Sequence, residues 1–466
     1  MRRSFVFLLL FFSTFFVCLF FTPYFLQTPL GKWYLVDSLE RSTGLHIDAH
    51  HFNLSWLGPQ KFQHLHCQHR DFSFQVDDFS LETPLWRLWG SGADFSLFPQ
   101  HLVMENAQLS WHPSEAPETL FEHLYAKIQA EDGMWHIDLD CYTRKKSTAN
   151  VGKLVVHGLV STLSWEIAST DWDRFFCDLQ VRMQRVPSHL LDSLFAEQHC
   201  FLQAVCGAYI SLEGDLFFTR GSGDVRCEIA SRNLQTSLDG YWKERALFLN
   251  RALHVEYFPR ERASESYLHK IHPQLGCVLS SNAPIKVRID PEGFCYPAHG
   301  NCSIGHATCE LGQLHCKQQG VLHSILSAVE DADLFASAQI DIWCTPLEFS
   351  IQDGVIRMER MDFLLDNRLH CFTWGEHNYL SDELSMTLAI NPSIFEGVLQ
   401  TVENKTPPLL LPLKGSIANP RAEKNGSNRS FLTLFFPEEE LEIHSQTSAE
   451  KIHCKQIPPA PRVPWE

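Results

Sequence analysis

Two groups of histidine and cysteine residues have side chains that can bind metal ions or form disulfides. The first group comprises His64, His66, Cys67 and His69. On a strand, His64 and His66 share a face while Cys67 points to the other, so only two ligands converge. Because the chain has 24 histidines, such clusters arise by chance. We therefore predict solvated strand histidines here and no metal site.

The second group is evenly spaced and comprises Cys295, Cys302, Cys309 and Cys316. Four-thiolate zinc sites normally use close CxxC pairs, which are missing from this stretch. Successive hairpins could bring the cysteines together two by two, so we predict one or two disulfides among these four. A metal site and independent thiols are the alternatives, since pairing cannot be read from sequence.

The sequence lacks a recognisable catalytic grouping. It has no Gly-x-Ser-x-Gly elbow, no His-Glu-x-x-His and no phosphate-binding loop. Asp171 and Asp173 flank Trp172, and two carboxylates are too few for a cation site. We predict no enzymatic activity, no catalytic residue and no cofactor. A metal- or disulfide-dependent enzyme is the alternative that elemental analysis and thiol counting would test.

The N-terminal segment is apolar from Phe5 to Phe21 with only Ser13 and Thr14 as interruptions. A helix needs about 20 mostly apolar residues to cross the hydrocarbon core. Bulky residues follow where a signal peptidase would need small ones, which favours an uncleaved anchor over a removed leader. The basic pair at residues 2–3 places the N-terminus in the cytoplasm. We predict a cytoplasmic tail at 1–3 and a single transmembrane helix at 4–26.

The composition limits the partners of the remaining chain. Acidic residues number 55 and basic residues 38, giving a formal charge of −17. Nucleic acids and anionic lipid surfaces attract a positive face, so we predict no nucleic-acid binding. Aromatic residues make up 12% of the chain and 34 residues are Phe, which is unusually apolar for a domain outside the membrane.

Beyond the anchor, a helix predicted from Leu30 to Gly44 leads into strands with alternating apolar residues. The alternation changes phase at His50-His51, which indicates a β-bulge. Regular strand spacing predicts a mainly β fold with a few short helices and an antiparallel sheet with one apolar face. Short helices are predicted at Pro187–Phe195 and Val321–Val329, and Gly221-Ser-Gly223 predicts a hairpin turn. We predict segments at 27–111 (helix and first strands), 112–118 (linker), 119–420 (repeated sheet-plus-helix units) and 421–466 (last strand and Pro-rich tail).

Four segments resemble the AsmA-like proteins, a family of inner-membrane-anchored periplasmic proteins that includes relatives of TamB. They are the anchor with its basic pair, Ser42-Thr-Gly44-Leu-His-Ile-Asp48 with Phe52-Asn-Leu-Ser-Trp56, Phe349-Ser-Ile-Gln-Asp353-Gly354-Val-Ile356, and Pro412-Leu-Lys-Gly415-Ser-Ile-Ala-Asn419-Pro420. The resemblance covers both ends of the chain.

This resemblance implies an elongated, twisted antiparallel sheet that forms an open groove with an apolar inner face. It implies a periplasmic lipid-binding protein that supports phospholipid transport or outer-membrane and envelope homeostasis, with membrane lipids as partners. The candidate groove residues are Leu45, Ile47, Phe52, Leu54, Trp56, Phe72, Phe74, Val76, Phe79, Leu81, Phe95 and Leu97. The alternative is a structural or assembly factor whose edge strands pair with outer-membrane or secreted proteins.

Overall fold

The computed structural model is mainly antiparallel β-sheet with a few short helices, which confirms the fold class predicted at that level. It describes residues 21–69, 72–82, 84, 101–111, 118–131, 134–145, 151–161, 175–195, 201–261, 276–298, 300–318, 339–367, 369–391, 408–416 and 419–422. Contacts divide the chain into two compact units. Unit 1 comprises Met1–Gln203 and Gly207–Ser231, and unit 2 comprises Ala204–Cys206 and Arg232–Glu466.

The described residues of unit 1 form ten strands, each of which pairs antiparallel with the next. They are β1 (His46–Asn53), β2 (Gln60–Gln68), β3 (Phe72–Leu81), β4 (His101–Trp111), β5 (Thr119–Glu131), β6 (Met134–Lys145), β7 (Val151–Ser161), β8 (Phe176–Pro187), β9 (Tyr209–Thr219) and β10 (Ser222–Ser231). The predicted hairpin between β9 and β10 is confirmed, with Arg220 and Gly221 at positive φ in the turn.

The described residues also include the helices α1 (Pro29–Thr43) and α2 (Ser188–Phe195) in unit 1, and α3 (Phe201–Cys206), whose last three residues are assigned to unit 2. The hydroxyl of Thr28 caps α1 by accepting a hydrogen bond from the Gly31 amide at 3.2 Å. Gly44 ends α1 in the left-handed conformation, as the sequence predicts. The helix predicted after Pro187 is confirmed as α2.

The predicted phase change at His50-His51 is confirmed in the first strand. Ala49 and Phe52 are both buried although they lie three residues apart, and they pair with Leu65 and Phe62 of β2. β2 accommodates the same shift at His64, whose φ is 52°. Because both strands shift together, the register is preserved and the apolar side chains stay on one face.

Unit 2 contains the remaining strands. They are β11 (Leu234–Lys243), β12 (Ala246–Leu249), β13 (Leu253–Tyr257), β14 (Val278–Ser281), β15 (Ile285–Ile289), β16 (Tyr296–Pro297), β17 (Ile304–Glu310), β18 (Gly312–Lys317), β19 (Gln339–Cys344), β20 (Leu347–Gln352), β21 (Val355–Leu365), β22 (Leu369–Asn378), β23 (Glu383–Ile390), β24 (Leu409–Ser416) and β25 (Asn419–Ala422). From β20 to β25 each strand pairs antiparallel with the next.

In two places in unit 2, a pair of consecutive strands follows the course of one longer strand that is interrupted by a bend. β19 and β20 both pair with β21, through Cys344↔Phe363 and Phe349↔Met358. The interruption between them is Thr345-Pro346, and proline cannot donate a ladder hydrogen bond. On the other side, β18 pairs with β19 and β17 pairs with β20, so the same bend recurs in the neighbouring strand. The interruption therefore affects two neighbouring strands of unit 2.

Parts of the predicted organisation fall on residues that the structure leaves undescribed. Residues 4–20 of the predicted anchor at 4–26 lie outside the described residues, as do 112–117 of the predicted linker, the helix predicted near 321–329 and most of the segment 421–466. Among the residues that are described, no helix has both the length and the apolar character needed to span a bilayer. The strands on either side of the predicted linker, β4 and β5, pair directly.

Candidate functional site

One face of the unit 1 sheet carries continuous rows of apolar side chains, and we call it the apolar face. Directly paired residues of an antiparallel sheet point to the same side, so the register identifies each row. The longest row has one residue from each of the ten strands: Phe52, Phe62, Phe79, Met104, Ala126, Leu139, Val156, Val181, Gly214 and Cys227. None of these ten residues has a charged or strongly hydrogen-bonding side chain.

A second row runs parallel to the first across β3 to β10. Its members are Leu81, Leu102, Ile128, Ile137, Gly158, Leu179, Leu216 and Val225. The glycine is required by close approach of the next strand, because a Cβ on Gly158 would lie 1.9 Å from the Asp178 carbonyl oxygen. The two rows make the apolar face at least two side chains wide.

Burial of the apolar face differs along the sheet. Near β3 to β5, Val76, Ala107 and Leu124 are buried in a cluster that includes Leu190 of α2. The members of the two rows between β6 and β10 are half-buried, including Leu139, Val156, Val181, Leu179, Leu216 and Val225. On the same face of β7 to β9, Val160, Cys177 and Phe218 are buried. The apolar face therefore has both buried and half-buried positions along its length.

The structure distributes the predicted groove residues over several environments. Ile47, Phe74 and Val76 lie on the apolar face, and Phe52, Phe79 and Leu81 belong to its two rows. Half-buried Leu45 precedes β1, whereas buried Leu54 and half-buried Trp56 follow it. Phe72 pairs with Trp111 at the start of β3. Phe95 and Leu97 lie outside the described residues.

The half-buried residues of β6 to β10 were missed as site candidates. Their strands were recognised from sequence, and the alternation of Leu179, Val181 and Met183 already indicates one apolar side. The missing information was register, because only the pairing of each strand with its neighbour aligns these side chains with Phe79 and Leu81.

The opposite face of unit 1 is polar and rich in ion pairs. One of its rows consists of Lys127, Asp138, His157, Gln180, Asp215 and Arg226. Arg182 approaches Glu213 at 3.1 Å, and Lys153 approaches Asp140 at 2.9 Å. The hydrogen bond to Asp140 raises the pKa of Lys153. Water thus solvates the polar face of the sheet, whereas the side chains of the apolar face are stabilised by contact with other apolar groups.

A line of polar side chains crosses this polar face where the strands change phase. His64 approaches Asp77 at 3.5 Å, Asn106 donates to Asp77 at 2.5 Å, and His123 lies 3.3 Å from Asn106. An open cavity of about 430 Å³ is lined by Asp77, Asn106 and His123 of this line and by Arg144. We call the line of His64, Asp77, Asn106 and His123 the polar ladder.

The histidine and cysteine residues considered for metal binding or for disulfides show no assembled site in the described part of the chain. His64 belongs to the polar ladder, whereas Cys67 lies on the opposite face, paired with Phe74. Within the described residues, no group of three or more His, Cys, Asp or Glu side chains is placed to hold a metal ion. The structure therefore does not bring the first histidine and cysteine group together around an ion.

The four evenly spaced cysteines form no disulfide in the structure. Cys295 and Cys302 are half-buried, whereas Cys309 and Cys316 lie in the core of unit 2. Burial raises the pKa of Cys309 to about 12 and raises the pKa of Cys316 well above its usual value. Their pairing stays a prediction for thiol counting.

No protein-family model, no curated protein and no solved structure matches this chain.

The geometry of unit 1 is therefore the basis for assigning a function. The apolar face offers a continuous hydrocarbon-like surface.

Proposed function

We propose that this chain is a membrane-anchored extracytoplasmic protein that binds lipid acyl chains along the apolar face of unit 1. The observation that carries the proposal is the apolar row of ten residues, half-buried from β6 to β10. In this proposal the rows form the floor of an open groove. The resemblance to AsmA-like proteins supports the same interpretation and suggests an inner-membrane, periplasmic location in phospholipid transport or envelope homeostasis.

The free energy of lipid transfer explains why such a surface would be useful. Exposing an acyl chain to water costs about 0.8 kcal/mol per CH₂, so two chains cost on the order of 20 kcal/mol. An apolar strip lowers this cost without making or breaking a covalent bond. The proposal therefore includes no enzymatic activity and no cofactor.

The dimensions of the apolar face suit an acyl chain. Strands lie about 4.8 Å apart, so a row across ten of them extends roughly 40 Å. The hydrocarbon core of a bilayer is about 30 Å thick, so the chains of one leaflet extend roughly 15 Å. The rows are thus long enough to hold at least one extended chain.

Two double variants test the proposal because they place lysines on opposite faces of the same strands. Leu179 pairs with Leu216 on the apolar face, and Gln180 pairs with Asp215 on the polar face. We expect L179K/L216K to lose about tenfold or more of the co-purifying phospholipid, since an unpaired ammonium is costly on an apolar surface. The control Q180K/D215K should retain it.

The measurement is mass spectrometry of lipids extracted from the full chain purified in mild detergent. Both variants keep the anchor, so lipid held around the anchor cancels in the comparison. A photo-reactive phospholipid with its reactive group in the acyl chain should label peptides from β6 to β10. Equal lipid content in both variants, with both folded by circular dichroism, would contradict the proposal.

The second candidate function is assembly of other envelope proteins through strand pairing. β1 pairs with β2 along one edge, and no pairing of its other edge is found in the described part of the chain. An exposed edge can add a strand from another protein. Crosslinks from β1 to another envelope protein, together with the absence of lipid bound to the apolar face, would favour this alternative.

A further inference from the structure

Large apolar side chains are exposed around the start of α1. Leu30, Trp33 and Tyr34 are 71%, 65% and 63% exposed. They follow the spacing i, i+3 and i+4, so they lie on one side of the helix. Just before α1, residues 21–26 are also helical and expose Phe21, Tyr24 and Phe25. We call these six residues the aromatic surface.

The two helical stretches are held in a defined arrangement. The Thr28 amide donates to the Phe25 carbonyl at 2.9 Å, and the Thr28 hydroxyl donates to the same oxygen at 2.6 Å. A Cβ on Gly31 would lie 2.1 Å from the Phe25 carbonyl oxygen, so only glycine permits this approach. The aromatic surface is therefore built on a compact turn between helices.

The other side of the same segment is fixed to the sheet of unit 1. Leu26, Leu35 and Val36 pack in a cluster with β1 and the residues that follow it, including Ala49 and Leu54. The Gln27 side chain donates to the Leu54 carbonyl at 2.9 Å. Since these contacts anchor one side, the opposite side must face outward.

The position in the chain indicates what covers the aromatic surface. The apolar run from residue 5 ends at Phe21, where the described structure begins. Tryptophan and tyrosine favour the headgroup level of a bilayer, because their rings are apolar and their N–H and O–H groups need water. The basic residues of α1 are already paired, Lys32 with Asp48 at 3.8 Å and Arg41 with Asp37 at 2.8 Å.

We propose that α1 lies in the membrane–water interface and that the aromatic surface, led by Trp33 and Tyr34, docks unit 1 on the lipid headgroups. A helix in this position buries its apolar side about 5–10 Å into the boundary between headgroups and acyl chains. Paired charges leave little attraction for anionic lipid, so docking should depend weakly on salt and on lipid charge. The inference rests on the anchor of the proposed function and is independent of the lipid cargo.

The test uses the full chain in vesicles of phosphatidylcholine with a bromine-labelled fraction. The emission of Trp33 is obtained by subtracting the spectrum of W33F from that of the unmodified protein. We expect lipid brominated near the glycerol end to quench this emission roughly twofold or more, and lipid brominated near the methyl end to quench it less. The control is Trp343 of unit 2, measured in the same way with W343F.

Equal quenching of Trp33 and Trp343 by brominated lipid would overturn the inference. A second readout is water-soluble acrylamide, which should quench Trp33 only weakly in vesicles although its side chain is 65% exposed in the protein alone. Strong quenching by acrylamide would overturn the inference as well, because it would place the indole in water.

Varying the salt concentration and the charge of the lipid distinguishes insertion of the aromatic surface from electrostatic attraction to the membrane. Quenching of Trp33 by brominated lipid should be unchanged by about 0.5 M salt or by adding phosphatidylglycerol, and its loss in high salt would overturn the inference. A different result is expected if α1 lies in the interface but the apolar face of unit 1 binds no acyl chains. In that case L179K/L216K and the unmodified protein carry equal lipid while Trp33 remains quenched.

Discussion

At the scale of single residues, Asp362 carries a buried carboxylate whose neighbours neutralise it. Its side chain is 1% exposed, and Arg360 approaches its two oxygens at 2.7 and 2.8 Å. His370 adds a contact at 2.9 Å. Burial alone would raise the pKa of Asp362, but the hydrogen bonds from His370 and Arg360 outweigh it and the pKa is lowered. The carboxylate is therefore ionised in the folded protein at neutral pH.

We predict that Asp362→Asn lowers the free energy of unfolding by about 3 kcal/mol or more, because removing one partner of a buried ion pair leaves the other buried without its counter-charge. Urea denaturation of the two proteins at pH 7 measures the difference. Asp353→Asn is the matched control, since Asp353 is exposed in a turn with φ 51° and asparagine tolerates that conformation. A loss no larger than that of the control would refute the prediction.

Acid should reduce the effect of this substitution. A carboxylate with a lowered folded pKa stabilises the fold fully above its unfolded pKa of about 3.9, and this contribution is lost as the pH falls through the folded pKa. We expect the stability difference between the unmodified protein and D362N to shrink below about pH 4. Urea midpoints measured at successive pH values would reveal it, and a constant difference would count against it.

At the scale of elements, the polar ladder marks the line along which several strands of unit 1 change phase. His64 in β2, Asn106 in β4 and His123 in β5 all have φ between 51° and 52°. Left-handed backbone is costly for most residues, and Asn, Asp and His tolerate it best. The aligned shifts keep apolar residues such as Val76 and Phe79 on one face although they lie three positions apart. The ladder thus maintains the apolar face on both sides of the line.

We predict that His64→Val destabilises unit 1 by roughly 1–2 kcal/mol, because a β-branched residue fits the left-handed region poorly. His66→Val is the matched control, since His66 is a regular position of the same strand on the polar face. Urea denaturation compares the two. Equal stability of both variants would show that the left-handed residue is not a constraint.

At the scale of the whole molecule, each unit has its own hydrophobic core. Val76, Ala107 and Cys141 belong to a core cluster of unit 1, whereas Phe363 and Leu365 belong to a larger cluster of unit 2. Phe363 is fully buried where Cys344 and Cys371 pair with it from both sides. Because these cores are built from different residues, a substitution in one core should lower the stability of the unit that contains it.

We predict that Phe363→Ala lowers the stability of unit 2 by about 3–5 kcal/mol through loss of burial and creation of a cavity. Amide hydrogen exchange followed by mass spectrometry should then accelerate in β19, β21 and β22 while exchange in β3 to β5 stays unchanged. The reciprocal variant Val76→Ala should accelerate exchange in unit 1 only, and by less, since it removes fewer atoms. Faster exchange in both units from either variant would contradict separate cores.

Much of the strand layout could be predicted from local patterns. Gly44 predicted the end of α1, and His50-His51 predicted the phase change in β1. Each of these signals depends on a few neighbouring residues, because turns, caps and bulges are set by local backbone preferences.

The sequence by itself determined the alternation of apolar and polar residues, the turns and the balance of charge, since these are properties of the chain's local order and composition. Only the tertiary structure decided that Phe52 and Cys227 share one row, that Arg360 and His370 converge on Asp362, and that Trp33 faces outward. Register and burial depend on contacts between residues distant in the chain, and a shift of one position would send each side chain to the other face.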